Sequence, residues 1–134
     1  MSSPFLNEAR WIRKNSKAAI LYDAFPVSKG HMLVIPRRSD VVRLKDLSSY
    51  EALKLFSLVA EAVEMAYSHW SADAVNVGIN DGEEAGQTVK HLHVHVIPRY
   101  RGDVEDPRGG VRGVIPSKQM YNALPEHKDD RTDE

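Results

Sequence analysis

The chain has 134 residues, a length that predicts one domain, and its 42% hydrophobic and 28% charged residues exclude a disordered or low-complexity chain. Eighteen basic and nineteen acidic side chains give a formal net charge of -1, so charge alone does not attract nucleic acid or anionic lipid. The absence of cysteine excludes disulfides, thiolate zinc sites and thiol nucleophiles.

The N-terminal residues predict no targeting or membrane segment. Charged side chains interrupt residues 1–15, where a signal peptide would need an apolar stretch, and no apolar run approaches the length that spans a bilayer. We therefore expect a cytoplasmic protein that has neither a membrane nor a nucleic acid as its partner.

The first third of the chain predicts a short helix and two strands. Ser3 and Pro4, followed by apolar residues as far as Ile12, are typical of a capped helix with proline in its first turn. Residues 17–23 (KAAILYD) and 31–36 (HMLVIP) are short apolar segments joined by a loop that contains proline and glycine. We expect these two segments to form an antiparallel pair.

Residues 46–70 predict one long helix, with Ser48 or Ser49 as its N-cap. The apolar positions that recur every three or four residues, and that we expect to face the core, are Leu53, Phe56, Val59, Ala60, Val63, Ala66, Tyr67 and Trp70. A second apolar set lies outside this stripe and is available to cover a partner: Leu55, Leu58, Ala62 and Met65.

Two further strands are predicted at residues 74–80 and 91–98, where apolar and polar residues alternate. A short helix is expected at residues 116–124, and the charged residues 125–134 predict a disordered tail after a single domain that spans residues 1–124. Strands with one long helix between them indicate an α+β fold. We expect an antiparallel sheet of about five strands with a long helix and a short N-terminal helix.

Three histidines alternate with apolar residues at His91, His93 and His95. On a strand the three imidazoles would share one face, with Leu92 and Val94 on the other. A solvent-facing strand is one explanation, and a metal site is another. A regular strand is too extended to bring all three to one ion, although two of them could share one with a third ligand such as His31.

Nucleophilic catalysis is the third explanation and the one we favour. Neutral imidazole has a lone pair on one nitrogen and a proton on the other near pH 7, and it can attack phosphorus and leave again. Residues 85–88 (AGQT) lie just before the histidines and supply small residues, an amide and a hydroxyl to phosphate oxygens.

Residues 86–99 (GQTVKHLHVHVIPR) closely resemble the signature of the histidine triad (HIT) family, and the resemblance extends over about residues 17–101. It implies nucleotide binding and cleavage at the α-phosphate through a nucleotidyl-histidine. His93 matches the nucleophile, His95 the histidine that assists the leaving group, and His91 the histidine that orients the nucleophile.

The same resemblance implies the residues that bind the nucleotide. Asp23 matches a ribose-binding position, His31 a histidine beside the site, and Asn80 a further polar contact. Gln87 and Thr88 match contacts to the phosphate or the leaving group. No metal ligand is implied in the protein, so Mg²⁺ or Mn²⁺ would arrive with the nucleotide. Relatives pair through the sheet edge and the long helix, which implies a homodimer.

Within the family, residues 82–87 (GEEAGQ) and Pro98-Arg99 resemble the Fhit-like hydrolases of dinucleoside polyphosphates, and the segment 101–113 resembles microbial HIT hydrolases. The expected function is therefore hydrolysis of adenine nucleotide conjugates, most simply diadenosine polyphosphates, with AMP transferred to histidine. A Hint-like adenosine phosphoramidase and a nucleotide-binding sensor with incidental hydrolysis remain alternatives.

Overall fold

The computed structural model describes residues 3–121, and its contacts divide the chain into two compact units with the boundary between Asp103 and Val104. The first unit contains a five-stranded antiparallel sheet and one α-helix. This architecture confirms the expected α+β fold. The predicted disordered tail, residues 125–134, lies outside the described residues, and the single-domain boundaries stay a prediction.

The sheet has the strand order β1-β2-β3-β5-β4. Its strands are β1 (Trp11–Lys14), β2 (Ala18–Tyr22), β3 (Met32–Pro36), β4 (Ala74–Ile79) and β5 (Val94–Arg99). The predicted antiparallel pair is confirmed, because β2 and β3 pair in register along their whole length. Strand β5 is inserted between β3 and β4, so the C-terminal half of the unit completes the sheet that the N-terminal half begins.

The N-terminal helix is only partly confirmed. Ser3 accepts a hydrogen bond from the backbone of Phe5, as a cap should, and Pro4 starts the turn, but the segment forms two 3₁₀ turns, Pro4–Leu6 and Glu8–Arg10. The prediction was wrong from Trp11 onward, because β1 begins there. Asn7 adopts an extended conformation between the two turns, which ends the first before an α-helix can form.

The long helix α1 (Ser49–Ser68) has Ser48 as its N-cap, in a capping box with Glu51. The face predicted for its core was only partly right. Val59 and Ala66 are buried as predicted, but Leu53 is 67% exposed and the core also contains Leu55, Leu58 and Ala62, which lie outside the predicted stripe. The surface predicted to meet a partner is therefore core, except that Met65 is only partly buried against it.

Both stripes of α1 are apolar, so hydrophobic periodicity alone does not decide which faces the sheet. The structure shows a polar contact that does. Arg38 forms a bidentate salt bridge with the buried Glu51, at 2.8 and 2.9 Å. Positions 51, 55, 58 and 62 share one face of a helix, so this contact favours the observed orientation of α1.

The last strand begins later than predicted. Strand β5 starts at Val94, so His91 and His93 precede it and only His95 lies on it. The prediction was wrong because the backbone N–H of Leu92 donates to the carbonyl of Val41 in a neighbouring loop instead of joining the sheet. Residues 91–93 are consequently held by the bond to Val41 and by the side-chain hydrogen bonds of His91 and His93 to backbone carbonyls.

The two faces of the sheet carry separate apolar clusters. One face packs against α1, and the other is covered by the N-terminal turns through Phe5 and partly by Leu6 and Trp11. The rings of His91 and His93 contact Phe5 with centroid distances of 5.8 and 4.9 Å. The N-terminal turns therefore pack directly against two of the three histidines.

In the second unit, the described residues 104–121 form two 3₁₀ helices, Gly110–Val114 and Pro116–Lys118. The short helix predicted at residues 116–124 is one 3₁₀ turn within the described part, and its last three positions lie beyond it. Among residues 3–121 there is no helix with the length and apolar character needed to cross a membrane.

Candidate active site

The hydrogen bond of His93 determines which of its ring nitrogens is free. Its Nδ1 lies 2.8 Å from the carbonyl oxygen of His91, and a carbonyl can only accept a hydrogen bond. Nδ1 therefore carries the proton and donates it, which leaves the lone pair on Nε2. The residue is 8% exposed. Because its Nδ1 is used by the carbonyl, His93 keeps on Nε2 the lone pair that a nucleophile needs.

His91 anchors the segment that carries this carbonyl. Its side chain is fully buried, and its Nε2 donates to the carbonyl of Pro36 at the end of β3, at 2.8 Å. Burial is the main cause that lowers the pKa of His91, against the opposing effect of the bond to Pro36. The neutral ring of His91 attaches the loop to the sheet, and its main chain orients His93.

His95 has the opposite tautomer, which a chain of two hydrogen bonds determines. The backbone N–H of Val27 donates to Nδ1 of His31 at 3.1 Å, so the proton of His31 is on Nε2. That Nε2 lies 2.9 Å from Nδ1 of His95 and donates to it. The proton of His95 is consequently on Nε2, where it is available to a ligand.

Both members of this pair are held neutral. Burial, together with the neighbouring His93 and His31, lowers the pKa of His95 to about 4, although Asp23 opposes the shift. Burial also lowers the pKa of His31. The site therefore combines the lone pair on Nε2 of His93, which its bond to the carbonyl of His91 leaves free, with a neutral N–H donor on His95. The centroids of the two rings are 5.1 Å apart.

Asp23 lies beside the His31–His95 pair. Its Oδ2 is 3.4 Å from Nε2 of His31 and 3.9 Å from Nδ1 of His95, and its Oδ1 accepts from the backbone of Phe25. These three side chains could each offer one atom to a metal ion. A metal on Nε2 of His31 would have to displace the proton that Val27 keeps there, because a ligand nitrogen needs its lone pair. The geometry does not favour a metal site.

Gln87 is placed differently from its predicted contact with phosphate. Its Oε1 accepts from the backbone of Gly82, and its Nε2 donates to the carbonyls of Val42 and Val89. Both amide protons are thus used within the protein, and the side chain is 9% exposed. The structure supports a role for Gln87 in holding the 82–89 loop, and offers no free donor there.

The remaining predicted contacts lie nearby. Asn80 directly follows Ile79, the last residue of β4, which pairs with Val94 at the start of β5. Its side chain is half-buried, whereas Thr88 is exposed in the loop before the histidines. The structure therefore brings the three histidines together with His31 and Asp23. It places Asn80 just after the strand that pairs with β5, and Thr88 on the loop before the histidines.

Three contributors were missed by the sequence analysis: the ring of Phe5, the backbone N–H of Val27 and the carbonyl of Pro36. Two of them act through the main chain, which has the same groups at almost every residue, so no side-chain pattern could have identified them. Phe5 was recognised only as an apolar position, and its contact with His93 depends on how the N-terminal turns fold back.

Comparison with known proteins gives consistent results. A model of the HIT domain family matches residues 6–102. The chain is 48% identical over 81 residues to the bis(5'-nucleosyl)-tetraphosphatase [asymmetrical] of Schizosaccharomyces pombe, covering 60% of this chain and 44% of that protein. It is 37% identical over 99 residues to the bis(5'-adenosyl)-triphosphatase of Saccharomyces cerevisiae, covering 74% of this chain and 48% of that protein.

A solved structure, the Hit-like protein from Bartonella henselae, is similar to this chain with a TM-score of 0.66 and 27% identity, and 71% of each chain is covered. The chain spans about half the length of the two fungal relatives.

Proposed function

The chain belongs to the HIT domain family, and we propose that it hydrolyses dinucleoside polyphosphates at an α-phosphate. The names of the two fungal relatives support this substrate class. The observation that carries the proposal is the pair of opposite tautomers, with a lone pair on Nε2 of His93 and a proton on Nε2 of His95.

In the proposed first step, Nε2 of His93 attacks the α-phosphorus while the bond to the leaving polyphosphate oxygen breaks. The ring of His93 gains positive charge, which its Nδ1–H shares with the carbonyl of His91. The Nε2–H of His95 donates to the leaving oxygen. In the second step, water attacks the phosphorus of the AMP-histidine, gives its proton to solvent or buffer, and releases AMP and free His93.

The neutral state of His95 favours one leaving group over another. With a pKa of about 4, His95 holds one proton near pH 7 and can share it in a hydrogen bond, but cannot give it up entirely. A polyphosphate is stable as an anion and needs only such a bond. An amine leaving group needs a full proton. This contrast supports a polyphosphate hydrolase over the alternative of an adenosine phosphoramidase.

The proposal includes no metal held by the protein. The charge of the polyphosphate would be neutralised by Mg²⁺ or Mn²⁺ that binds the nucleotide. Activation by these ions should then follow the concentration of the metal–nucleotide complex. Calorimetry with metal ions and nucleotide-free protein tests this expectation, and tight stoichiometric binding would contradict it.

We also propose a homodimer. The apolar set first expected to meet a partner is core, so the support now comes from the outward side of α1, where Leu53, Phe56 and Tyr67 are 67%, 43% and 46% exposed. Burial of these side chains against a second copy of the chain would remove their apolar surface from water and so stabilise a dimer. Light scattering at micromolar concentration is the test, and a particle with the 15.1 kDa mass of one chain would refute the dimer.

The experiment for the hydrolase is to trap the intermediate. Enzyme that is turning over diadenosine triphosphate is quenched in a non-acidic denaturant, and its peptides are analysed by mass spectrometry. We expect AMP on His93, in the peptide that contains residues 91–95. An adduct on another residue would overturn the assignment of the nucleophile, and binding without turnover would favour the nucleotide sensor.

A further inference from the structure

The loop between β2 and β3, residues 24–30, carries the backbone N–H that sets the tautomers of His31 and His95. Val27 donates this N–H to Nδ1 of His31 at 3.1 Å. Packing of large apolar side chains does not hold the loop in place, because Phe25 is 86% exposed and Val27 is 72% exposed. The position of the loop therefore depends on its polar contacts with the rest of the chain.

Two side-chain hydroxyls supply those contacts. The Oγ of Ser28 donates to the carbonyl of Pro98 near the end of β5 at 2.7 Å, and the phenol of Tyr100 donates to the carbonyl of Lys29 at 2.8 Å. Within the described part of the chain, every other hydrogen bond of the loop is made inside residues 23–31. Ser28 and Tyr100 thus form a hydroxyl clamp on the loop.

The hydroxyl clamp ties the loop to the strand that also carries His95. The ladder between β3 and β5 ends two residues before Pro98, so no residue of β3 is paired there. The Ser28 hydroxyl bonds the carbonyl of Pro98 instead, three residues along β5 from His95. Tyr100 directly follows β5. The loop and His95 are consequently held in one position relative to each other.

Ser28 is also part of the turn that presents Val27. Its carbonyl accepts from the backbone N–H of His31 at 3.2 Å, next to the bond between Val27 and the ring of His31. The Nε2–H of His31 in turn donates to His95 at 2.9 Å. If the loop moved away, Nδ1 of His31 would lose its donor, and the proton of His31 would be free to occupy either nitrogen. The tautomer of His95 would then no longer be determined.

We propose that Ser28 and Tyr100 are positioning residues, which hold the loop against β5 and act through Val27 and His31 to keep the proton of His95 on Nε2. The kinetic part of this inference rests on the proposed hydrolase function. The tautomeric part does not, because the tautomer of His95 can be measured whether or not the protein is catalytically active.

The first test removes both hydroxyls in the double variant Ser28→Ala with Tyr100→Phe, and follows the tautomers by NMR of ¹⁵N-labelled histidine. Each substitution removes one oxygen atom and adds none, so the variant should fold. The unaltered protein should show His95 protonated at Nε2, and the double variant a mixture of tautomers. Ser28→Thr in place of Ser28→Ala keeps a hydroxyl and should restore part of the unaltered signal. A pure Nε2–H tautomer of His95 in the double variant would overturn the inference.

The second test asks whether the hydroxyl clamp acts through His31. In the double variant kcat for diadenosine triphosphate should fall about fivefold to tenfold, close to the loss expected when leucine replaces His31. Added to His31→Leu, the same two substitutions should lower kcat by less than about twofold, because the contact that they protect is already lost. A full further loss in that background would indicate a general structural effect and would also overturn the inference.

The matched control is Ser39→Ala with Tyr50→Phe, which removes the same two kinds of hydroxyl from exposed positions and should change neither kcat nor the tautomers. Turnover by the unaltered protein separates the two proposals. If it binds diadenosine triphosphate without cleaving it, the hydrolase function fails and the NMR experiment still decides the role of the hydroxyl clamp. If it cleaves this substrate while the double variant keeps full kcat and the pure tautomer, only the hydroxyl clamp is wrong.

Discussion

His93 and His95 are two residues apart in the sequence, yet the structure gives their imidazoles partners of opposite kinds. The segment before β5 holds His93 through a main-chain carbonyl, which accepts a proton. The start of β5 holds His95 through His31, whose Nε2–H donates one. The same side chain consequently offers a lone pair in one place and a proton in the other.

This comparison shows that the chemistry of a histidine is decided by what its second nitrogen contacts. The two controlling groups, the carbonyl of His91 and the N–H of Val27, both belong to the main chain. They cannot exchange donor and acceptor roles, so neither tautomer can change without breaking a hydrogen bond. The difference between the two histidines can be tested one residue at a time.

Removal of the nucleophile should have the largest effect. We expect His93→Ala to lower kcat by about three orders of magnitude or more, because no other group offers a lone pair there. AMP binding should be retained, since Asp23 and Asn80 are untouched. Steady-state kinetics and calorimetry measure the two quantities, with His69→Ala at the exposed end of α1 as a histidine control. Near-normal kcat in His93→Ala would refute its role.

Loss of the hydrogen-bond donor His95 should lower activity less than loss of His93. His95→Ala should lower kcat/KM for diadenosine triphosphate about a hundredfold, because only the hydrogen bond to the leaving oxygen is removed. The loss should shrink for adenosine 5'-phosphorofluoridate, whose fluoride leaving group needs little assistance. Kinetics with both substrates on one preparation provide the test. An equal loss for the two would mean that His95 does not act on the leaving group.

The residue that sets the tautomer of His95 should have an intermediate effect. His31→Leu removes the donor to Nδ1 of His95, so both tautomers of His95 become accessible and kcat should fall about tenfold. NMR of ¹⁵N-labelled histidine should show a mixed tautomer at His95. His31→Gln can still donate a hydrogen bond and should restore part of both signals. A pure Nε2–H tautomer in His31→Leu would contradict the argument.

Gln87 should affect stability more than chemistry. Gln87→Leu leaves the N–H of Gly82 and the carbonyl of Val42 without their partners, which should lower the free energy of unfolding by about 2 kcal/mol. Urea denaturation measures that change, and kcat of the folded enzyme should fall less than in the histidine variants. Unchanged stability together with a large rise in KM would instead support the contact with phosphate that the sequence predicted.

The smallest effect is a pH dependence of stability. The pKa of His95 is about 4 in the folded protein and 6.5 ordinarily, so the unfolded chain binds more protons between these values and stability falls as the pH drops. For His95 alone the loss between pH 6.5 and about pH 5 is about 1.5 kcal/mol. The free energy of unfolding, measured in urea across this pH range, should depend less on pH in His95→Asn than in the unaltered protein. An equal pH dependence in the two proteins would refute the shifted pKa of His95.

The parts of the fold that the sequence predicted are those with a strong local pattern. The apolar segments at β2 and β3, the capped helix and the alternation at β4 all have a clear period and defined ends. Strand β1 was missed because four residues, mostly exposed, give a weak signal and its pairing partner β2 stabilises it. The orientation of α1 was only partly predicted, because both of its faces are apolar.

The same division holds for the candidate site. The sequence by itself determined the family, the fold class and the three histidines, because their spacing is encoded in consecutive residues. Only the tertiary structure decided which nitrogen of His93 and of His95 is free, and that the side-chain amide of Gln87 is bonded to backbone groups. Those properties depend on groups from distant parts of the chain, and mostly on the main chain, which a sequence pattern does not distinguish.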